Sequence, residues 1–105
     1  MDAFSALADP KRRSIVELLA RSGAMPATEI YDRFNVSHPA ISQHLQVLRL
    51  AKLVRVEKCG QQRIYRLNPK AITEIEEWAR RTANVWEVRF DRLDRVLESE
   101  RKNAK

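Results

Sequence analysis

The apolar positions change period along the chain, and each change marks an element. Ile15, Leu18 and Leu19, flanked by Val16, sit at helical spacing behind Asp9-Pro10, an acidic cap followed by proline at the first helical position. Ahead of them, Asp2 can cap a short helix whose apolar face is Phe4, Leu7 and Ala8. Ser22-Gly23-Ala24-Met25-Pro26 ends the Pro10 helix, with Gly23 suited to a left-handed cap. Ala27 to Phe34 predicts a short helix that buries Ile30, Tyr31 and Phe34, with Thr28 available as its cap. A turn of three residues then leads to Ser37, which can cap a helix carrying Pro39 in its first turn. Ile41, Leu45 and Leu48 recur there at i, i+4 and i+7, one apolar stripe. His38, Ser42, Gln43, Gln46 and Arg49 fall on the other side.

That outer face is polar yet almost uncharged, which solubility alone does not ask for. Ser, Gln and His side chains can match the donor and acceptor pattern of base edges in a DNA groove. A short helix, a tight turn and a second helix with such a face form the helix-turn-helix pattern. The second helix, about residues 37–50, is therefore read as a DNA recognition helix.

From Leu53 the period drops to two. Apolar and polar residues alternate through Lys58 and again from Arg63 to Leu67, on either side of the glycine-bearing turn Cys59-Gly60-Gln61-Gln62. This predicts a β-hairpin with Val54, Val56, Ile64 and Leu67 inward. Its tip, about residues 58–63, carries Lys58, Gln61, Gln62 and Arg63 and no acid, so it reads either as a DNA-contacting wing or as an ordinary hairpin with a solvated tip. Asn68-Pro69 repeats the cap-and-proline signal, and no further proline or glycine follows. One long helix is expected from Lys70 to about Glu98. Its stripe holds Ile72, Ile75, Ala79, Thr82, Trp86, Leu93 and Leu97, broadened by Trp78, Val85 and Phe90. The rest of the chain is too small to cover so long a stripe, which points to a second copy. Phe4, Leu7, Trp78, Thr82, Trp86, Phe90 and Leu93 are the expected dimer interface. Residues 1–98 are read as one domain and residues 99–105 as a polar, fraying tail.

Composition adds direction. Of 105 residues, 20 are Lys or Arg and 14 are Asp or Glu, a formal net charge of +6 that favours a polyanionic partner. Lys11-Arg12-Arg13 crowds the first turn of its helix against the helix dipole, so it reads either as a solvated cluster or as a contact for phosphates or an acidic partner. A single cysteine leaves no disulfide framework and fits a reducing cytoplasm. The first residues lack the basic and apolar regions of a signal peptide, and no apolar run approaches the ~18 residues of a membrane span.

The element order is helix, helix, helix-turn-helix, hairpin, long helix (ααα-α-ββ-α), a mainly α fold with a small β-hairpin. It resembles the winged helix-turn-helix repressors of the ArsR/SmtB family. Leu7-Ala8-Asp9-Pro10-Lys11-Arg12-Arg13-Ser14-Ile15-Val16-Glu17-Leu18-Leu19 is similar to that family's opening LADPTRRxILxLL. Val36-Ser37-His38-Pro39-Ala40-Ile41-Ser42-Gln43-His44-Leu45-Gln46-Val47-Leu48 resembles its xSxxxxSxHLxxL segment. Ala51-Lys52-Leu53-Val54 stands where AGLV is usual, with Lys52 departing from glycine, and Gly60, Arg63, Tyr65 and Leu67 match the wing. The resemblance covers residues 4–68. It implies a cytoplasmic homodimer that represses by binding an inverted repeat in double-stranded DNA. It assigns DNA contact to Ser37, His38, Ala40, Ser42, Gln43 and Gln46, and wing contact to Lys58, Gln61, Gln62 and Arg63. Gln43 and Gln46 suit adenine edges and Ala40 a thymine methyl, whereas Ser37 and Ser42 fit phosphates. His44, near the edge of the apolar stripe, is read either as a hydrogen-bonded structural residue or as a DNA contact.

Many members of that family sense metals, and the ligands they use are missing here. Met25-Pro26-Ala27-Thr28-Glu29-Ile30 has no Cys-x-Cys, and the last helix has no histidine. Cys59, at the expected wing tip, lies far from both histidines, and zinc needs about four converging N, S or O ligands. No metal and no cofactor are expected. Cys59 reads as an exposed thiol, or as a redox sensor if Lys58 and Arg63 stabilise its thiolate. No catalytic constellation stands out, so an enzyme is not expected. Two other readings stay open: a regulator with a small molecule bound near Trp78 and Trp86, and a winged helix that serves as a protein-interaction module.

Overall fold

A computed structural model describes residues 1–103. Its elements are α1 (Ala3–Ala6), α2 (Pro10–Ser22), β1 (Met25–Pro26), α3 (Ala27–Asp32), α4 (His38–Leu50), β2 (Val54–Cys59), β3 (Gln62–Leu67) and α5 (Pro69–Asn103). The chain divides into two compact units, Met1–Ile72 and the remainder of α5 from Thr73. The first is a winged helix-turn-helix, mainly helical with a small antiparallel sheet.

Capping chemistry sets the helix starts. The Asp2 carboxylate accepts from the Ser5 N–H at 2.7 Å, and that of Asp9 from the Lys11 and Arg12 N–H groups at 2.8 and 3.1 Å. The Ser37 hydroxyl accepts from the Ala40 N–H at 3.3 Å, and Asn68 Oδ1 from the Lys70 N–H at 3.3 Å. Among the described residues, α3 alone lacks a side-chain cap at its start: Pro26, not Thr28, precedes it. This helix ends at Asp32 rather than Phe34, so five residues, not three, connect it to α4. In α1 the buried residue is Ala6, while Phe4 and Ala8 are exposed and Leu7 is half-buried. Four residues make barely one turn and cannot bury the wider face expected of them. Gly23 has φ +77 and ψ −138, outside the left-handed helical region and open in practice only to glycine.

The core of the first unit is made by Ile15, Leu18 and Leu19 of α2, Ile30 of α3, Ile41, Leu45 and Leu48 of α4, Leu53, and Val54, Tyr65 and Met25 of the sheet. The sheet has three strands in the order β1-β3-β2, not the two expected, because Met25 and Pro26 pair with Tyr65 and Ile64. Proline is tolerated on this edge, where no ladder donor is needed. Register places Val54 opposite Leu67, Val56 opposite Tyr65 and Lys58 opposite Arg63. Tyr65, not Ile64, therefore shares the inward face with Val54 and Val56; Ile64 lies on the other face opposite Glu57. A one-residue shift in where the turn closes reverses every side chain.

Between α4 and β2, Lys52 adopts φ +64, the left-handed region that β-carbon-bearing residues occupy at a cost. Local bonds hold it there. The Leu53 N–H donates to the Leu48 carbonyl at 3.0 Å, and Asn68 Nδ2 donates to the Lys52 carbonyl at 2.9 Å. Asn68 thus ties the end of α4 to the start of α5. That last helix runs to Asn103, past the expected end near Glu98 and into the expected tail; residues 104–105 of that tail lie outside the described residues. Lys52→Gly is expected to stabilise the protein by ~0.5–1 kcal/mol, since relief of the left-handed conformation exceeds the added chain entropy of glycine. Urea unfolding midpoints measure this, and a lower midpoint for the variant would contradict it.

Candidate nucleic-acid interface

The outer face of α4 is fixed from beneath. Ile41, Leu45 and Leu48 are essentially fully buried, so α4 cannot roll without exposing them. His38, Pro39, Ser42, Gln43, Gln46 and Arg49 are left exposed, with Ala40 half-buried at the edge. Three contacts hold the N-terminal half of α4. The His38 ring stacks on Tyr31 of α3 with centroids 4.7 Å apart and 17° between planes. The Ser37 hydroxyl caps the first turn. Arg12 of α2 donates through Nε to the Ala6 carbonyl at 2.7 Å and brings Nη1 to 3.4 Å from Nδ1 of His44.

Guanidinium is a donor only, so in this 3.4 Å contact it is His44 Nδ1 that can accept from Arg12. His44 is half-buried and faces α2 rather than the outer face. Two of the three cations in the basic cluster on α2 are likewise spoken for. Arg12 links α1, α2 and α4, and Lys11 Nζ lies 5.5 Å from the Phe34 ring centroid, a cation–π distance. Arg13 remains exposed.

Lys58, Gln61, Gln62 and Arg63 all sit exposed at the tip of the β2–β3 hairpin, where Gly60 turns the chain at φ +64. The hairpin and α4 border a cleft of about 480 Å³ lined by Ser42, Gln46, Arg49, Val56, Lys58, Arg63 and Tyr65. Ser42, Gln46 and Arg49 are one stripe of α4 (i, i+4, i+7), while Val56 with Lys58 and Tyr65 with Arg63 are same-face neighbours along the two strands. Arg49 is the residue missing from the sequence-derived site. Its spacing with Ser42 and Gln46 was visible, but nothing in the sequence showed the wing on that side of α4. Cys59 is an exposed free thiol on the opposite face of β2 from Lys58. Among the described residues, no three His, Cys, Asp or Glu side chains group as metal ligands, and no helix is long and apolar enough to cross a membrane.

The dimer residues expected from the pattern divide between the units. Within the first, Phe4 is exposed and Leu7 half-buried; within the second, Trp78, Thr82, Trp86, Phe90 and Leu93 are exposed on α5.

Residues 7–57 match a family described as a helix-turn-helix domain. The chain is similar to the transcriptional repressor SdpR of Bacillus subtilis, 38% identical over 77 residues that cover 73% of this chain and 84% of SdpR. Its fold is similar to that of a solved ArsR family transcriptional regulator, with a TM-score of 0.72 and 30% identity over 80% of this chain and 86% of the other. An ArsR-like transcriptional regulator from Rhodococcus sp. RHA1 superposes with a TM-score of 0.77 at 28% identity, covering 89% and 87% of the two chains.

Asp9 lies beside this scaffold. The Arg12 backbone N–H holds its carboxyl below the usual range against the desolvation that raises it, helped by the Lys11 N–H and by the electrostatic influence of His44 and Arg12. A carboxyl with a lowered folded value adds stability that is complete above the ordinary value near 3.8 and is lost as pH falls through the lower one. Asn at this position keeps an acceptor for the cap but does not titrate. The stability advantage of the wild type over Asp9→Asn should therefore be full well above the ordinary carboxylate value near 3.8 and shrink as pH falls through the lowered folded value. Urea midpoints at both ends test this; a gap that does not change with pH would contradict it.

Proposed function

Because the chain belongs to the ArsR family of winged helix-turn-helix transcription regulators, we propose that it is a dimeric repressor that binds an inverted-repeat operator without needing a metal. The observation that carries this reading is the cleft where the polar face of α4 meets the cationic tip of the hairpin. In the reading, α4 enters the major groove with Ser37, His38, Ala40, Ser42, Gln43 and Gln46 toward the DNA. The wing residues Lys58, Gln61, Gln62 and Arg63 follow the minor groove or backbone. Two copies place their recognition helices roughly 34 Å apart, one turn of DNA. Phe4, Leu7 and the α5 residues Trp78, Thr82, Trp86, Phe90 and Leu93 form the surfaces between copies. The protein acts in the cytoplasm as one functional domain over residues 1–98 and performs no catalysis. Metal independence rests on the chain's lack of a Cys-x-Cys in the Met25–Ile30 stretch and of histidine in α5.

Charge is distributed to suit this role. Residues 1–72 hold twelve Lys or Arg against six Asp or Glu, whereas the rest of the chain holds eight of each. The entire net positive charge lies in the winged unit. Binding should therefore weaken steeply with salt, as counterions return to the phosphates.

Two measurements test the proposal. Titration of the protein onto a duplex of its own upstream region should give the same affinity with and without EDTA and a clear loss between 50 and 200 mM salt. Loss of binding in EDTA would remove the metal-independent form of the reading. Replacing Lys58 and Arg63 together by Glu should abolish binding while sedimentation still reports the dimer. Retained DNA affinity in that double variant would show that the wing is not a DNA contact.

A further inference from the structure

The hairpin carries two like-charge pairs, and they are treated differently. Arg55 faces Arg66 across the strands, and there Glu57 accepts a hydrogen bond from Arg66 Nη2. On the opposite face, toward α4, Lys58 faces Arg63 directly, and no acid lines the adjoining cleft. Like charges directly across an antiparallel pair are destabilising. Instead of an acid, α4 brings a third cation, Arg49, to the same cleft. Among the described residues, none of these three cations makes a hydrogen bond or ion pair. The cleft floor is formed by Val56 and Tyr65, and its α4 wall offers the Ser42 hydroxyl and the Gln46 amide. An arrangement that opposes its own stability and ends in three unpaired cations with hydroxyl and amide donors is complementary to a chain of phosphodiesters.

Resting on the DNA-binding reading, we infer that this cleft seats the sugar–phosphate backbone between the two grooves, with Arg49 as a positioning residue. Arg49 is missing from the contacts that helix pattern and family resemblance assigned. Its guanidinium, together with Lys58 and Arg63, grips the strand from both sides and so fixes the depth at which α4 sits in the groove. Gln43, which does not line the cleft, is left toward the bases. A contact to phosphate carries no sequence information, so the loss on removing it is the same for any duplex.

Binding of Arg49→Gln, Arg49→Lys and Arg21→Gln is measured on the upstream duplex and on an unrelated duplex of equal length across a salt series. Arg49→Gln should bind both duplexes on the order of tenfold more weakly and lower the salt slope by about one. Arg49→Lys should restore the slope. Arg21→Gln, which removes the same charge from the last turn of α2 outside the cleft, should leave the slope unchanged. An unchanged slope in Arg49→Gln, or an equal drop in Arg21→Gln, overturns the inference while leaving DNA binding intact. A loss confined to the upstream duplex overturns it in favour of base contact. No wild-type binding to either duplex removes the DNA-binding reading and the inference with it.

Discussion

The rotation of α4 about its own axis is the constraint on which the interface depends. Ile41, Leu45 and Leu48 are buried essentially completely, and each such side chain contributes about 1.5–3 kcal/mol through removal from water. Rolling the helix by even one position would expose two or three of them. No stack or surface hydrogen bond on α4 approaches that sum. The apolar stripe therefore decides which side chains face outward, and the weaker contacts only trim the result. The Tyr31–His38 stack and the Arg12–His44 contact act at the N-terminal half, where the outer face proposed to meet DNA begins. His38 is in this sense both part of the outer face and part of its support.

Arg12 shows why a charge pattern alone has two meanings. In the sequence it belongs to a basic run at a helix N-terminus, the wrong end for the dipole. In the fold its side chain turns back to the Ala6 carbonyl and across to His44, so the unfavourable charge serves as a brace between α1, α2 and α4. Lys58, Arg63 and Arg49 have no such internal use. The difference between a cation with a partner and three cations gathered without one separates structural use from the proposed binding role here.

Most of the fold was legible because it is written in local chemistry. Asp9-Pro10, Ser37 with Pro39, and Asn68-Pro69 each mark a helix start by a cap and a fixed φ, and the three helices begin within one residue of where the sequence puts them. The stripe Ile41-Leu45-Leu48 likewise needs no neighbour to be recognised. What was missed depends on residues far apart in the chain. β1 is two residues long and contains proline, so it has no period of its own and exists only because Tyr65 and Ile64 lie beside it. The choice between Ile64 and Tyr65 as the inward residue turns on how the hairpin closes at Gly60, a difference of one residue. Thr28 looked like a cap by composition, but the chain enters α3 from a strand whose last residue, Pro26, takes the capping position. Arg49 was readable as an exposed residue of α4 and unreadable as part of a cleft, because the wing supplies the other wall. Lys52 is the converse case: its departure from the usual glycine marked a position where the backbone still takes a positive φ.

The second half of α5 poses a different physical problem. Val85, Trp86, Phe90, Leu93, Val96 and Leu97 are each about half exposed or more, along a helix of 35 residues. Helices in water draw most of their stability from packing an apolar face, not from propensity. A lone chain offers this stretch little of that; the proposed partner copy would supply it, and the order of distal α5 and self-association would then be one coupled equilibrium. The neutral charge of this segment then has a use. Two copies can meet along α5 without bringing net charge together, while the excess of cations in each winged unit remains free for DNA. Separating the charge in this way would let the proposed dimer form at ionic strengths low enough for strong DNA binding, where a uniformly basic chain would repel its own copy.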